Sequence, residues 1–238
     1  MNLIEILKEQ KESRLKGGIY HKIQIELTYN SNHIEGSRLT HDQTRFIYET
    51  NTLDITDEVV NVDDIIETVN HFRCVDKIIE RADSEITEEL IKELHFILKS
   101  GTSDSRKDWF AVGDYKRMPN EVGGRETTAP EEVSNEMKAL LKKYNNGMSK
   151  TLEDIIAFHV AFETIHPFQD GNGRVGRLLM FKECLKYSIV PFIIDDDLKF
   201  FYYRGLHEWS NEKGYLVGTC ITAQDRFKKI LEYFRIDY

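Results

Sequence analysis

The sequence predicts an all-α fold, one domain spanning residues 1–238 with a single small β-hairpin. Three observations predict it. Apolar residues recur three and four positions apart through most of the chain, as they do along one face of a helix. The segments that carry this pattern stop at glycine, asparagine or proline, residues that end helices. The pattern breaks over one long stretch, residues 103–129, which is rich in glycine and turn residues. A hydrophobic content of 40% in 238 residues supplies a core, and no repeat or linker divides the chain.

Taken in order, Leu3, Ile4 and Leu7 precede a run of mostly charged residues up to Leu15, which reads as an amphipathic helix from Met1 to Lys16 stopped by Gly17-Gly18. A second helix runs from Ile19 to Asn32 with Tyr20, Ile23 and Leu27 on one face. It leads into Ser31-Asn32-His33-Ile34-Glu35-Gly36, where Gly36 is a natural stop. Glu35 is thereby left at a helix C-terminus, where the dipole disfavours a carboxylate by about 0.3–1 kcal/mol. It is either a solvated surface residue or one with a partner elsewhere.

Thr40 to Thr50 reads as a short helix capped by Thr40, and the acidic Asp54 to Asp63 as a loop with a turn. Val62 to Arg81 carries Ile65, Ile66, Val69, Phe72, Val75, Ile78 and Ile79, spread widely enough for a largely buried helix. Thr87 to Ser100 forms another, ended by Gly101. His71 and His95 lie in these helices without metal-ligand spacing around them, so both read as packed core histidines. Residues 103–129 contain Gly113, Pro119, Gly123, Gly124 and the run Asp114-Tyr115-Lys116-Arg117-Met118, which reads as turns plus a small hairpin.

Pro130 opens the next helix at its first position, followed by Glu131 and Glu132, and Asn146-Gly147 ends it. Thr151 and Asp154 resemble a capping box with aspartate in the usual Glu or Gln place. They start a helix with Ile155, Phe158, Phe162 and Ile165 on it, and with His159 as a packing residue. Val175 to Tyr187 carries Leu178, Leu179, Phe181, Cys184 and Leu185. A short apolar segment, Val190 to Ile194, precedes Asp195-Asp196-Asp197, which reads as dipole partners at a helix start rather than as a metal cluster. An aromatic-rich helix from Phe200 to Asn211 and a closing helix from Tyr215 to Arg235 complete the chain.

Between two of these helices stands His166-Pro167-Phe168-Gln169-Asp170-Gly171-Asn172-Gly173-Arg174-Val175-Gly176-Arg177, within a helix-loop-helix spanning residues 151–187. Each residue type suits phosphate chemistry. The glycines permit φ > 0, so successive N–H groups can converge on an anion. The helix that follows adds unpaired N–H donors and a positive dipole end. Arg174 and Arg177, three apart, share a face and can fork onto phosphate oxygens. Asp170 is a hard oxygen donor suited to Mg²⁺. His166, with an ordinary pKa near ~6.5, suits a general base. Singly, these are ordinary turn residues. Together they describe a nucleotide-phosphate site with its own proton acceptor.

This stretch resembles the active-site motif of the Fic family, His-x-Phe-x-Asp/Glu-Gly-Asn-Gly-Arg-x-x-Arg, and matches it at every fixed position. Gly173 separates it from the related phosphotransferase toxins, which carry lysine there. The resemblance implies a mostly helical enzyme that transfers AMP from Mg²⁺-ATP to a Ser, Thr or Tyr hydroxyl of a protein, itself included. His166 would be the base and Asp170 the metal ligand. Gly171, Asn172, Gly173, Arg174, Gly176 and Arg177 would bind the nucleotide. Tyr203 and Asn211, on the aromatic helix, would border the adenine. Ser31, Glu35 and Gly36 resemble the family's inhibitory motif, Ser-x-x-x-Glu-Gly. Residues 1–36 would then be an N-terminal inhibitory region of the arrangement called class II, with Glu35 paired to Arg177. Residues 103–129 would be the flap that holds the target protein. Here Asn120-Glu121-Val122 stands where a more apolar strand is usual. The same motif also serves transfer of UMP or phosphocholine and removal of AMP, and a non-catalytic module that senses ATP is a further alternative.

Composition bounds these readings. A net charge of −9 without a long basic run argues against nucleic acid as the main partner. No apolar run approaches the ~18 residues of a membrane span, and the N-terminus does not read as a signal peptide. Cys74, Cys184 and Cys220 form an odd, scattered set that fits a reducing cytoplasm. The target protein, the oligomeric state and the trigger that relieves inhibition stay open.

Overall fold

The helix pattern of the sequence folds into ten α-helices and one two-stranded hairpin in a computed structural model that describes residues 2–54 and 59–238. The helices are α1 (Leu3–Ser13), α2 (Ile19–Ile34), α3 (His41–Thr50), α4 (Val62–Glu80), α5 (Glu88–Lys99), α6 (Pro130–Asn145), α7 (Leu152–Ile165), α8 (Asn172–Lys186), α9 (Asp196–Glu208) and α10 (Gly214–Tyr233). Thr40 and Thr151 cap α3 and α7 in reciprocal capping boxes. Asp195 caps α9 through Leu198 N–H, with Asp196 and Asp197 in the first turn, so the acidic triplet is a helix start.

Boundaries move where a cap overrides the apolar pattern. α1 stops at Ser13, before the glycines, because Arg14 turns into the left-handed region once the apolar face has ended at Leu7. α8 starts at Asn172, three residues before the expected Val175, because Gly171 at φ 84 redirects the chain. The aromatic helix begins at Asp196 rather than Phe200 and ends at Glu208. Of the acidic loop expected over Asp54 to Asp63, residues 55–58 lie outside the described residues, Asn61 caps α4 and Asp63 is already helical.

α8 is the axis of the fold. Val175, Leu178, Leu179, Met180, Phe181, Cys184 and Leu185 bury it on every side. The main core packs α1, α2, α4, α5, α6 and α7 against it through Ile23, Ile78, Leu94, Phe162 and Phe168. A second core, including Ile156, Met180, Tyr202 and Cys220, joins α7 and α8 to α9 and α10. Burial on all sides forces every polar residue of α8 to find a protein partner, since an unpaired buried charge costs several kcal/mol. The hairpin, β1 (Glu121–Val122) and β2 (Arg125–Glu126), pairs antiparallel around Gly123-Gly124, both at positive φ. All four strand residues are exposed.

The core histidines are packed as expected. His71 Nδ1 bonds Thr28 Oγ1 at 2.9 Å. His95 stacks on Phe168 with centroids 3.9 Å apart and accepts from Gly113 N–H. His159 Nε2 lies 2.6 Å from Tyr202 Oη. Burial, aided by nearby arginine or lysine charge, pushes each down to about 3. They are neutral in the fold, whereas in the unfolded chain they take up protons below ~6.5. Their contribution is complete above pH ~6.5 and is lost as pH falls from there toward about 3. Glu163 runs the other way: burial, then Glu35, raises it to about 8, so its share fades as pH rises through that value. Three groups outweigh one. At about 1 kcal/mol each, the net of about 2 kcal/mol should put the thermal midpoint at pH 5 roughly 4–8 °C below that at pH 7. Equal midpoints by circular dichroism would rule out neutral buried histidines.

Candidate active site

The link between α7 and α8 is held open by its own residues. Proline at 167 excludes helical continuation at His166, which caps α7 with φ 51 and ψ 62. Phe168 is fully buried and anchors the loop against His95, Tyr115 and Phe162. Asn172 closes it: its Oδ1 accepts from Phe168 N–H and its Nδ2 donates to Phe168 O, both at 2.8 Å. At Gly171 a Cβ would meet Leu98 at 3.3 Å as well as requiring positive φ. Gly176 is needed for packing, because a Cβ there would lie 2.7 Å from the His159 ring and 2.9 Å from Glu163 Oε1.

The N-terminus of α8 has no side-chain cap of its own. The end of α2 reaches it instead. Arg177 Nη2 donates to Glu35 Oε1 at 2.7 Å and to Ser31 O at 2.9 Å, and Arg177 Nε donates to Ser31 Oγ at 3.0 Å. The Glu35 carboxylate sits so close to Gly173 that a Cβ there would collide with it. A charge that its own helix disfavours is therefore placed at the favourable positive end of another. Arg177 is buried over the Tyr202 ring, 5.8 Å from its centroid. Burial alone would lower the Arg177 pKa, but Glu35 outweighs it and holds the guanidinium charged. Gly36, at φ 97, turns the chain away behind Glu35.

On the other side of the loop four charges alternate in a ring. Glu67 of α4 binds Lys99 with one oxygen and Arg174 with the other. Asp170 Oδ2 accepts from Lys99 at 2.6 Å and from Arg174 at 3.2 Å. Burial would raise the Asp170 pKa, but Arg174 and Lys99 overcome it and hold the carboxyl well below the usual range. The guanidinium of Arg174 is thus turned onto carboxylates, and its part in the site is to brace Asp170. The Asp170 side chain remains 46% exposed, with both cations on Oδ2. Its other oxygen is available to a hard cation, so the residues present fit a Mg²⁺ ion that carries most of its ligands as water and phosphate.

His166 is the residue at which α7 ends and the loop begins. Burial, then the Lys116 ammonium, pushes it down to about 4, so it is an unprotonated base at neutral pH. Its Nδ1 lies 3.9 Å from Glu163 Oε2.

The structure brings together His166, Asp170, Gly171, Asn172, Gly173, Arg174, Gly176, Arg177, Ser31, Glu35 and Gly36. Tyr203 lies on the rim, its hydroxyl donating to Ile34 O at 3.3 Å. Asn211 falls beyond the end of α9, exposed, with its amide on Glu208 at 3.1 Å. Sequence reasoning missed Glu67, Lys99, Lys116 and Glu163. The available signal was a charged residue on an apolar helix face, as with Glu163 directly after Phe162 and Lys99 directly after Leu98.

The start of a buried helix, with an unprotonated histidine and a braced carboxylate beside it, marks the candidate site of an all-α protein. Residues 85–184 match the model of the Fic/DOC family. The chain is 29% identical over 187 residues to the protein adenylyltransferase Fic of Drosophila sechellia, a match covering 75% of this chain and 36% of that protein. Against the protein of the same name from Nematostella vectensis it is 28% identical over 190 residues, 76% of this chain and 42% of the relative. The chain thus spans well under half the length of these curated relatives. A Fic-domain-containing signalling protein of Bacteroides thetaiotaomicron superposes with a TM-score of 0.75 at 25% identity, covering 96% of this chain and 94% of that one.

Proposed function

We propose that this protein is a protein adenylyltransferase held in an inhibited state by Glu35. The observation that carries the reading is the Glu35 carboxylate seated against Gly173 and on Arg177. The protein's own anion occupies a site that suits the terminal phosphate of ATP. With Glu35 withdrawn, the N–H groups from Gly171 to Arg174 take the nucleotide phosphates and Arg177 takes the γ-phosphate. Asp170 would hold Mg²⁺, which neutralises phosphate charge when bound. His166 accepts the proton of an incoming Ser, Thr or Tyr hydroxyl. The hydroxyl oxygen attacks the α-phosphorus, and pyrophosphate leaves. Positioning and charge stabilisation supply most of the rate, since no covalent enzyme intermediate is needed. Tyr203 on the rim borders the base, with Asn211 beyond it.

The exposed edges of β1 and β2 suit a target segment added as a further strand. The protein's own hydroxyls are at high local concentration, which favours self-modification. Three buried free cysteines suit a reducing compartment such as the cytoplasm. Among the described residues no helix is long and apolar enough to cross a membrane.

The test is incubation of the Glu35→Gly variant with α-labelled ATP, with and without Mg²⁺. Label on protein that requires Mg²⁺ is expected, and no label on any protein would overturn the reading. Asp170→Ala should cut transfer at least ~100-fold, because no other residue of the loop offers a carboxylate. An unchanged Mg²⁺ dependence in that variant would remove Asp170 from the metal.

A further inference from the structure

We propose that Lys116 is a positioning residue for His166, gripping the backbone on both sides of it and tying the hairpin to the catalytic loop. The proposal rests on His166 as the base. Lys116 lies in the segment before β1 and is only 3% exposed. Its backbone N–H donates to Pro167 O, just after His166, at 2.8 Å. Its ammonium donates to Ile165 O, just before His166, at 3.4 Å. The same ammonium donates to Asn120 Oδ1 at 2.7 Å and to Thr127 Oγ1 at 2.5 Å, at the entry and exit of the hairpin. Asn120 Nδ2 in turn donates to Phe168 O at 3.0 Å. One residue, by its backbone N–H and its ammonium together, thus joins the base of the flap to the chain on both sides of the histidine.

This placement answers a strain. His166 has φ 51 and ψ 62, a left-handed conformation that costs a β-carbon-bearing residue about 1–2 kcal/mol. Such a conformation persists only where surrounding structure fixes it. Lys116 fixes the carbonyls before and after it. A lysine suits the task because one ammonium offers three donors, here to three acceptors.

The same placement puts positive charge beside the imidazole. Four groups face His166: Lys116 from the flap segment, Glu163 from α7, Glu35 from the end of α2 and Asp170 from the loop. Glu35 is paired with Arg177, and Asp170 with Lys99 and Arg174. Glu163, raised to about 8, is protonated at neutral pH. The hydrogen-bond partners of the Lys116 ammonium are all uncharged oxygens. Its charge disfavours the imidazolium and keeps His166 ready to accept a proton. Burial lowers Lys116 itself to about 8.

The test uses the full chain in the Glu35→Gly background and follows the His166 Cε1–H resonance against pH alongside the pH profile of AMP transfer. Lys116→Gln should move the His166 midpoint upward by about one pH unit and lower kcat at least ~10-fold with little change in KM for ATP. Lys116→Arg, which keeps the charge and a donor, should stay within a few-fold of the parent. Thr127→Asp gives the ammonium a counter-charge while leaving Lys116 in place, and should move the midpoint in the same direction. It therefore decides the matter should Lys116→Gln fail to fold. A His166 midpoint and a kcat both unmoved in Lys116→Gln would overturn the inference. If no form transfers AMP, the proposed function fails, while the resonance still reports on Lys116.

Discussion

Replacing Glu35 by glycine should raise AMP transfer roughly 10–100-fold, the size of a regulatory coupling of about 1–3 kcal/mol. The contact being removed is specific. Glu35 Oε1 lies 2.7 Å from Arg177 Nη2 and occupies the space left by the missing side chain of Gly173. On the proposed reading, it neutralises the arginine at the head of α8 and keeps ATP phosphates from settling for in-line attack. Arg177→Ala also breaks the pair, yet it should remain poorly active because the γ-phosphate contact is lost with it. Ser31 holds the same guanidinium through its hydroxyl and its carbonyl, so Arg177 keeps its orientation when Glu35 goes. This asymmetry separates regulation from architecture. A purely structural ion pair would lower stability in both variants and raise activity in neither. A folded Glu35→Gly protein that transfers AMP no faster than the parent would end the inhibitory reading.

His166→Ala, in the released Glu35→Gly background, should lower transfer by roughly 10²–10⁴-fold with ATP affinity nearly intact, the usual weight of general-base catalysis. Because His166 is left-handed, alanine adds a backbone penalty of about 1–2 kcal/mol. Asparagine tolerates that region better, so His166→Asn should show the same loss of kcat with less loss of stability. The pH dependence carries a further check. The active form is the neutral imidazole, and His166 is held near 4 by burial and Lys116. Loss of transfer through this group should therefore begin only as pH falls toward about 4, with no limb from His166 between pH 6 and 8. Transfer at the parental rate in both substitutions would remove His166 from the reaction.

The helices were legible because their apolar spacing is local. α4, α6, α7 and α10 lie within a few residues of where periodicity, Pro130 and the Thr151–Asp154 box put them. Ends were less legible where a single residue's backbone decides. Arg14 stops α1 through a left-handed turn, and Gly171 starts α8 early. The hairpin was expected from Gly123-Gly124 even though Asn120-Glu121-Val122 is polar, and exposure of all its strand residues explains that polarity. Tyr203 and Asn211 were harder to place, since residues about one helix-length from the loop depend on how α9 ends.

The sequence by itself determined an all-α chain and singled out one loop as the candidate site, because His166 to Arg177 are contiguous and each residue type restricts what its neighbours can do. It also marked Glu35 as a carboxylate in a place its own helix disfavours. Only the tertiary structure decided which charges meet. Glu67, Lys99 and Arg174 come from three helices, and burial in a medium that cannot solvate them forces them into one ring with Asp170. Lys116 reaches His166 only after the flap segment has folded onto the loop. Periodicity records which face of a helix is buried. It does not record what that face is buried against, and the strength of a buried charge depends on that partner.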